Sequence, residues 1–493
     1  MPLRAVPAVR PLRPGASNVE QIPEPLVPGQ ALDARARARF GARGSSEARR
    51  LAGLDIVAVA LTWVDISGIT RTKTVPVERL EHASAWGVGM SPVFDAYLLD
   101  DSIVPGRHVG GPVGDLRLHP DLDRLVPLAA LPGWAHAPAF RYDQDGAVHP
   151  LDTRALLRRL TNRLADDGWT VKAAFEIEWA VSRGAGEEFS PAVRGPAYGM
   201  TRITELAGYL RDVLTALKET GVTVMQLHPE YAAGQYEVSV AAEDPLGAAD
   251  TAVVVRETIR AVSMEHGLAA TFSPKVEPDS VGNGAHVHLS LWRSGGEGPV
   301  NAMAGGEGPC EMSAPGEAFA AGILRRLPAL LAIGAPSVAS YLRLIPSHWA
   351  GAFTCWGPEN REAALRVVTG AEGERPAAAN LEVKCLDAAA NPYLVLAALL
   401  AAGHEGLGGR RELPAPVDVD PATLPEEERV ARGIVRLPAS LDEAVAAFEA
   451  DDVLRDALGD AVADTVATVR RGEIELLAGA TPEQITAATR WRH

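Results

Sequence analysis

The sequence has few cysteines, few basic residues and no long apolar run. Its 493 residues include three cysteines, Cys310, Cys355 and Cys385. An odd and low count excludes a disulfide framework and predicts a reducing, cytoplasmic environment. No apolar stretch approaches the roughly 18 residues that a membrane-spanning helix needs. The first residues also lack the apolar core of a secretory signal. These features predict a protein without a membrane partner.

Basic residues are outnumbered by acidic ones. The chain has 47 Lys and Arg residues against 63 Asp and Glu residues, giving a net charge of −16. This balance argues against general nucleic-acid binding, which needs a basic face. The remaining composition, 47% hydrophobic and 22% charged, is that of an ordinary globular protein. Part of the acidic excess is therefore available to bind cations.

The composition along the chain predicts an arm followed by two domains. Residues 1–45 are rich in Pro, Arg, Ala and Gly and predict a flexible arm. Short strand-like segments then predict a small strand-rich domain over residues 46–145. A helix beginning after Asp152 opens a larger domain over residues 146–493, with strands in its middle and helices on its flanks. The predicted fold class is α+β.

Two strand-like segments carry paired side chains of the type that bind metals. Residues two apart on a strand face the same side of a sheet, so Glu176 and Glu178 are expected to project together. His286 and His288 repeat this spacing after a glycine-rich turn. Each pair alone is also what a solvated or structural strand face would show. Two adjacent carboxylates nevertheless repel each other unless a cation lies between them.

Further carboxylates follow along the chain. Glu230 ends one predicted strand and Glu237 lies on the next, so a hairpin would bring them together, although a polar loop is the alternative. Glu382 lies among apolar neighbours and says little alone. Together, five glutamates and a histidine without a thiolate form an oxygen-rich ligand set. Such a set favours Mg²⁺ or Mn²⁺ over a closed zinc site.

Three arginines lie in a segment that has few other charges. Arg343, Arg361 and Arg366 need anionic partners, and a phosphate or carboxylate ligand is the simplest one. Phosphoryl transfer from ATP uses divalent metals and cationic side chains together. The sequence has neither a Walker P-loop nor a kinase glycine loop, so it predicts a different ATP-binding scaffold.

The order of these motifs resembles that of glutamine synthetase, of the bacterial, type I-like kind. The motifs are E-x-E at 176–178, H-x-E-x3-GQ-x-E at 228–237, GNGAHVHLSLW at 282–292, RLIP and NREAALR within 343–366, and LEVKCLDAAANPYL at 381–394. The resemblance implies an N-terminal β-grasp domain and a catalytic domain built on a curved antiparallel sheet flanked by helices. It also implies a ring-shaped homo-oligomer, a dodecamer, with active sites between subunits.

The resemblance further implies roles for individual residues. Ligands of the acceptor-side metal are matched by Glu178, Glu230 and Glu237, and those of the ATP-side metal by Glu176, His286 and Glu382. Positions that contact ATP or phosphate are matched by His288, Ser290, Arg361 and Arg366. Positions that bind the substrate are matched by Gly282, Arg343 and Lys384. Asp65 matches the acid that a neighbouring subunit lends to deprotonate the amine.

Several positions depart from the family pattern. Ammonia-using members carry a glutamate in the flap after R-L-x-P, where this sequence has Trp349. An indole cannot accept a proton, but it can wall off an alkyl chain or face a cation. Lys384 replaces an arginine, so a point charge replaces a bidentate fork. The tyrosine that some members adenylylate is absent, and Ala422 occupies its expected position.

These departures lead to a hypothesis about the reaction. The protein is predicted to be an ATP-dependent ligase that joins glutamate to ethanolamine, a monoamine or a polyamine through a γ-glutamyl phosphate. Ordinary glutamine synthesis from ammonia is the alternative. A non-catalytic structural or regulatory role is an alternative of another class, and an enzyme that stops at the acyl phosphate is a third. A chain without catalysis has little reason to keep six ligand-type residues whose charges repel.

Overall fold

A computed structural model describes residues 32–186, 188–295 and 298–493. Its α-helices are α1 (Ala34–Ala52), α2 (Leu80–Trp86), α3 (Thr153–Asp166), α4 (Met200–Glu205), α5 (Ala207–Thr220), α6 (Pro245–Glu265), α7 (Ala314–Gly334), α8 (Ser340–Arg343), α9 (Arg375–Ala378), α10 (Pro392–Gly409), α11 (Glu426–Ala431), α12 (Leu441–Glu449), α13 (Asp452–Leu458), α14 (Asp460–Leu476) and α15 (Pro482–Thr489). Within the described ranges, none of these helices is both long and apolar enough to cross a membrane.

Strands alternate with these helices up to β15, and the described residues after it form only helices and loops. They are β1 (Ala58–Val64), β2 (Thr70–Pro76), β3 (Val88–Met90), β4 (Leu116–Pro120), β5 (Val126–Pro127), β6 (Trp134–Asp143), β7 (Trp169–Ser182), β8 (Val224–Pro229), β9 (Gln235–Val240), β10 (Ala269–Thr271), β11 (Ala285–Gly295), β12 (Gly298–Asn301), β13 (Trp356–Pro358), β14 (Leu365–Val368) and β15 (Asn380–Val383). They form two separate sheets, which confirms the predicted α+β class.

The first helix differs from the predicted flexible arm. Residues 1–31 of that arm lie outside the described residues, but α1 begins at Ala34, inside the range 1–45. The Asp33 side chain caps the helix by accepting a hydrogen bond from the Ala36 N–H at 2.7 Å. Alanine and arginine favour helix, so the same composition that suggested an arm supports this element. The predicted domain boundaries at 45 and 145 stay predictions.

The smaller sheet belongs to the N-terminal part of the chain. Its strands lie in the order β2-β1-β6-β4-β3, and β5 pairs with β6. The central pair β1 and β6 is parallel, while the other pairs are antiparallel. Apolar residues of α1 and α2, such as Leu51 and Leu80, pack with strand residues such as Leu61 and Leu118 in one core. This helix-covered mixed sheet is the predicted β-grasp arrangement.

The larger sheet is a curled half-barrel. Its strand order is β13-β14-β15-β11-β7-β9-β8, with β10 paired to β7 and β12 to β11. The prediction of a curved antiparallel sheet is confirmed with one exception, because β13 and β14 are parallel. The apolar faces of α3, α6, α7 and α10 cover this sheet within the main core. The C-terminal stretch from Leu441 to Leu476 forms three helices, α12, α13 and α14.

A buried ion network and a shared core join the two parts of the chain. Arg154 on α3 forms paired hydrogen bonds to Asp250 on α6 at 2.8 and 3.0 Å. Asp250 also accepts a hydrogen bond from the Tyr393 hydroxyl and lies 3.3 Å from Arg124, which belongs to the N-terminal part. N-terminal residues also enter the main core, namely Val64, Ile66, Ala96 and Leu98.

Candidate active site

Four neighbouring strands of the larger sheet bring five of the six predicted metal ligands together, and Glu230 directly follows a fifth strand, β8. On β7, Glu176 is paired in register with His286 of β11, and Glu178 with Glu237 of β9. On the other side of β11, His288 is in register with Glu382 of β15. Because side chains alternate along each strand, the carboxylates and imidazoles share one face while their apolar neighbours enter the core. The alternation predicted for the E-x-E segment is therefore present.

The first cluster contains one histidine between two carboxylates. The Nδ1 atom of His286 lies 3.0 Å from Glu176 Oε1 and 3.4 Å from Glu382 Oε1. One ligand atom from each of these three residues falls within 4.8 Å of the others. All three come from strands of the larger sheet, so the cluster is fixed by strand register.

The second cluster lies beside the first and includes a residue that the sequence analysis did not assign. Glu178, Glu237 and His286 form one group of ligand atoms, and His228, Glu230 and Glu237 form another. The His228 imidazole lies 3.0 Å from Glu237 and 3.4 Å from Glu230. The H-x-E spacing at 228–230 on a strand was the signal that could have found it.

The charges of these clusters suit a divalent cation. Burial, reinforced by the charges of Glu176, Glu178 and Glu230, raises the pKa of Glu237 to about 8, despite its hydrogen bond with His228. Burial and the charge of Glu178 also raise the pKa of Glu230. A divalent cation would relieve this repulsion. The oxygen-rich donor set therefore fits Mg²⁺ or Mn²⁺.

The carboxylates of the first cluster behave differently because cationic side chains face them. Burial alone would raise the pKa of Glu176, but the hydrogen bond and charge of His286 and the charge of His288 lower it to about 2. The pKa of the buried Glu382 is likewise held far below its ordinary value, although burial opposes this. The cations responsible are Lys384, His286, His288 and Arg366. These carboxylates therefore remain ionised at neutral pH.

The clusters line a cavity of about 1010 Å³. Predicted site residues in its lining are Glu176, Glu178, Glu230, Glu237, Gly282, His286, Arg343, Trp349, Arg361, Arg366 and Lys384. Lining residues that the sequence analysis did not assign include His228, Tyr198, Tyr231, Lys275 and Asp279. Eleven of the fifteen predicted residues thus meet at one cavity.

The three arginines that line the cavity differ in burial and in hydrogen-bond partners. Arg343 is buried, and its Nη2 donates to the Lys384 carbonyl at 3.0 Å, whereas its Nη1 is buried without a hydrogen-bond partner among the described residues. Arg366 bridges Glu382 at 2.9 Å and Glu359 at 2.8 Å. Arg361 is exposed at the cavity wall. Arg343 therefore has a free donor for an anionic ligand, and Arg361 is open to solvent.

Four predicted site residues lie outside the cavity lining. Glu382 lies behind it, in contact with His286 as described above. The Nδ1 atom of His288 lies 2.9 Å from the Asn380 side-chain oxygen, and Ser290 accepts a hydrogen bond from the Trp292 indole at 2.8 Å. These two neighbour the ATP-side cluster along β11.

The structure does not bring Asp65 to the cavity of its own chain. Its carboxylate is fully buried and accepts hydrogen bonds from Arg71 at 2.7 Å and from the Ile69 N–H at 2.9 Å. Burial raises its pKa to about 6 in spite of Arg71. Burial and pairing separate this acid from the cavity of its own chain, and its role toward a neighbouring subunit stays a prediction.

A glycine loop and the predicted flap both line the cavity. The Gly282 carbonyl accepts a hydrogen bond from the Gln235 amide at 2.9 Å, and a Cβ atom at Gly282 would lie 2.3 Å from the Pro274 oxygen. Trp349 lines the cavity with 54% of its surface exposed and a left-handed backbone, φ 55°. Its N–H donates to Glu362 Oε1 at 2.8 Å. The predicted flap residue therefore stands at the cavity mouth.

Lys384 is held inside the site. Its Nζ atom lies 3.1 Å from Glu382 Oε1, and its side chain is almost completely buried. The amine thus neutralises a predicted metal ligand as well as lining the cavity. Its predicted contact with the substrate stays a prediction.

Comparisons with known proteins agree with this geometry. The family described as "Glutamine synthetase, catalytic domain" matches residues 150–487. The chain is 54% identical, over 92% of its length and 97% of the relative, to gamma-glutamylpolyamine synthetase GlnA3 from Streptomyces coelicolor. A solved structure described as a novel glutamine synthase homolog is 34% identical, with a TM-score of 0.76, and covers 87% of this chain and 97% of that one.

A second solved structure extends this comparison. It is described as a GmaS/ADP complex, is 27% identical with a TM-score of 0.77, and covers 88% of this chain and 96% of that chain. The family match covers well over half of the chain, and the predicted resemblance is confirmed. The protein belongs to the glutamine synthetase family.

Proposed function

We propose that this protein is an ATP-dependent ligase that joins the γ-carboxylate of glutamate to an organic amine, with a polyamine as the preferred acceptor. The observation that carries the proposal is the indole of Trp349 at the cavity mouth, next to intact ligand clusters. The 54% identity with a gamma-glutamylpolyamine synthetase supports the choice of acceptor.

The reaction has two balanced steps. A γ-carboxylate oxygen of glutamate takes the terminal phosphoryl group of ATP, giving γ-glutamyl phosphate and ADP. The amine nitrogen then attacks the acyl carbon, the bond to phosphate breaks, and the nitrogen loses a proton. The free Nη1 donor of Arg343 suits the α-carboxylate of glutamate, and Arg361 and Arg366 suit the phosphates. His288 and Ser290 are proposed to lie near the nucleotide.

The two clusters are proposed to hold Mg²⁺ or Mn²⁺. Glu176, His286 and Glu382 would hold the ion on the ATP phosphates, and Glu178, Glu230 and Glu237 the ion on the acceptor side. When bound, such ions neutralise the polyphosphate and the transferring group. The relative described as an ADP complex supports nucleotide binding in this fold.

The acceptor end of the cavity suits a cationic chain. Three well-exposed aromatic side chains, Tyr198, Tyr231 and Trp349, line the cavity. Aromatic faces attract ammonium groups, and exposed aromatic rings are otherwise unfavourable in water. Asp279 adds a negative charge to the same lining. A protonated polyamine would thus find both apolar surface for its methylene groups and partners for its charges.

The location and assembly of the protein are part of the same proposal. We infer a cytoplasmic enzyme that forms a homo-oligomer, a dodecamer, in which Asp65 serves a neighbouring site. A non-catalytic role is disfavoured by the clustered ligands, whose repulsion would cost stability without a cation.

The test is phosphate release from ATP and glutamate with ammonia, methylamine, ethanolamine, putrescine and spermidine as acceptors. The proposal predicts the highest kcat/KM for the polyamines and a γ-glutamyl amide by mass spectrometry. Ammonia used as efficiently as every alkylamine would refute it in favour of glutamine synthesis. Absence of Mg²⁺-dependent ATP binding would instead favour the non-catalytic alternative.

A further inference from the structure

Three chain segments meet at the acceptor mouth of the cavity. They are the flap, residues 345–350, the turn, residues 359–363, and the loop, residues 417–420. The flap carries Trp349, the turn carries Arg361, and both residues line the cavity. The loop lies behind them and carries Asp420. All three lack regular secondary structure, so their mutual positions depend on side-chain contacts.

Hydrogen bonds tie these three segments pairwise into a closed brace. The flap is bound to the loop by Ser347 Oγ, which donates to Asp420 Oδ2 at 2.6 Å. The turn is bound to the loop by the Asn360 amide, which donates to two loop carbonyls at 2.8 and 3.0 Å. The turn is bound to the flap by Glu362, which accepts the Trp349 N–H at 2.8 Å. Each of the three segments is thus hydrogen-bonded to both of the others.

The backbone of the flap needs this brace. Ser347 and Trp349 both have left-handed backbones, with φ of 59° and 55°. Residues with a side chain rarely adopt this region, and they keep it only when surrounding contacts hold them there. Among the described residues, Glu362 is the hydrogen-bond acceptor for the Trp349 N–H. The orientation of the indole over the mouth therefore depends on this carboxylate.

Glu362 is placed to act through its contact rather than as a ligand. It is only 8% exposed, so most of its carboxylate is withdrawn from the cavity. It does not belong to the lining residues, whereas Trp349 and Arg361 on either side of it do. The charged groups that face it are Asp420, Lys384 and His348. Its position is that of a support beneath the flap.

The same turn also reaches the phosphate end of the cavity. Glu359, which begins the turn, bonds to Arg366 at 2.8 Å, and Arg366 in turn bonds to Glu382 of the ATP-side cluster at 2.9 Å. Arg361 lies directly before Glu362. A short stretch of chain thus connects the proposed phosphate contacts with the proposed acceptor flap.

We propose that Glu362 is a positioning residue that holds Trp349 over the acceptor mouth, so that the acyl phosphate meets an amine chain and not water. This inference rests on the proposed function. If the flap loosens, water can attack the acyl carbon of γ-glutamyl phosphate. The bond to phosphate then breaks, and glutamate, inorganic phosphate and a proton are released. The net result is hydrolysis of ATP without amide formation.

The experiment compares Glu362→Ala, Glu362→Gln and Ser347→Ala with wild type. The matched control is Glu428→Ala, because Glu428 is an exposed residue of α11 whose carboxylate pairs with Arg432 at 3.3 Å, outside the brace. Phosphate release is measured with glutamate and ATP, with and without spermidine, and amide is quantified by mass spectrometry. Circular dichroism and the melting temperature establish that each variant is folded.

Glu362→Ala is expected to raise two quantities by about tenfold each, the ratio of phosphate released to amide formed and the KM for spermidine. This is the effect of losing one hydrogen bond to a charged group. Glu362→Gln keeps an oxygen acceptor for the Trp349 N–H and is expected to stay within about twofold of wild type. Ser347→Ala is expected to shift the ratio in the same direction by a smaller factor, and Glu428→Ala to leave it unchanged.

Two outcomes would overturn the inference alone. One is that Glu362→Ala, or Ser347→Ala if the former does not fold, forms amide with the wild-type ratio and KM. The other is that Glu362→Gln fails as badly as Glu362→Ala and only for polyamines, which would make the charge itself an amine contact. Failure of the wild-type protein to join any amine would overturn the proposed function, and this inference with it. That result comes from the wild-type assay alone, so it is distinguishable from an effect of the variants.

Discussion

The Nε2 atom of His228 lies 3.0 Å from a carboxylate oxygen of Glu237, across the paired strands β8 and β9. The hydrogen bond to Glu237 raises the pKa of His228 to about 9, although burial opposes it. Burial and neighbouring carboxylates raise the pKa of Glu237 as well. The leading causes differ, since burial acts on Glu237 while the hydrogen bond between the two residues acts on His228, but both shifts favour the protonated forms. Without a cation the His228–Glu237 pair therefore retains protons more readily than free side chains would.

Metal binding is expected to release protons from this cluster. A divalent ion needs ionised carboxylates, and Glu237 has a pKa of about 8 in the metal-free protein. Below that pH, affinity for Mn²⁺ should rise by up to about tenfold per pH unit and then level off above it, if one proton is displaced. Titration calorimetry in buffers of different ionisation enthalpy measures the released protons directly.

Glu237→Gln provides the control for this experiment, since an amide cannot titrate. The variant should bind Mn²⁺ more weakly and with a flatter pH dependence. The assignment of Glu237 would be contradicted if the wild-type protein released no protons on binding Mn²⁺. It would also be contradicted if wild type and Glu237→Gln released equal numbers of protons.

Exchange of the flap indole for a carboxylate should change acceptor choice. Trp349→Glu restores the residue type of ammonia-using members, and it removes an aromatic face worth about 0.5–2 kcal/mol to a cation. We expect kcat/KM for spermidine to fall by up to about thirtyfold, and kcat/KM for ammonia to rise. Trp86→Glu is the control, because Trp86 is equally exposed at 54% but lies on α2. Unchanged selectivity in Trp349→Glu would count against the flap assignment.

The glycine loop has no room for a side chain at Gly282. A Cβ there would lie 2.3 Å from the Pro274 oxygen and 2.6 Å from Arg343 Cγ. Gly282→Ala should therefore displace Arg343 and raise the KM for glutamate by about tenfold or more, the effect of a displaced charged contact. Gly408→Ala on α10 meets nothing within 4 Å and should stabilise the protein by up to about 1 kcal/mol. Equal kinetics in the two variants would disprove the steric argument.

Glu473 should make the protein less stable as the pH rises. Burial raises its pKa to about 7, despite Arg470 and the hydrogen bond from Ser67. Because the folded pKa exceeds the unfolded one, the stabilisation it gives is complete below about pH 4.3 and is lost as the pH rises through about 7. Glu473→Gln keeps an acceptor for Ser67 and should gain on the order of 2 kcal/mol at pH 8. Thermal unfolding at both pH 5 and pH 8 tests this, and an equal gain at the lower pH would contradict it.

Local patterns predicted much of the site. The period of two along a strand placed Glu176 with Glu178 and His286 with His288, because that period is a property of the backbone itself. The same rule did not identify His228, although this residue begins the H-x-E motif at 228–230. Its partner Glu237 depends on the register of β8 against β9, and register is set by the whole sheet.

Long-range pairing accounts for the remaining differences. Glu382 gave no signal alone, and it reaches His286 only because β15 pairs with β11 across nearly a hundred residues. The support of Trp349 by Glu362 is likewise invisible in the sequence, since it joins two irregular segments. Asp65 shows the opposite case. Its motif position matched an acid lent to a neighbouring subunit, a role that stays a prediction, and in this chain packing against Arg71 buries it.

The core shared between the two sheets limits how relatives of this chain can exchange parts. Val64, Ile66, Ala96 and Leu98 fill space beside the helices of the larger part, and Arg124 meets Asp250 there. A chimera that took only its first third from another family member would place differently shaped side chains in this shared core. It could also leave Asp250 without the charge of Arg124. Recombination between family members would therefore succeed when both sides of this shared core come from the same parent protein.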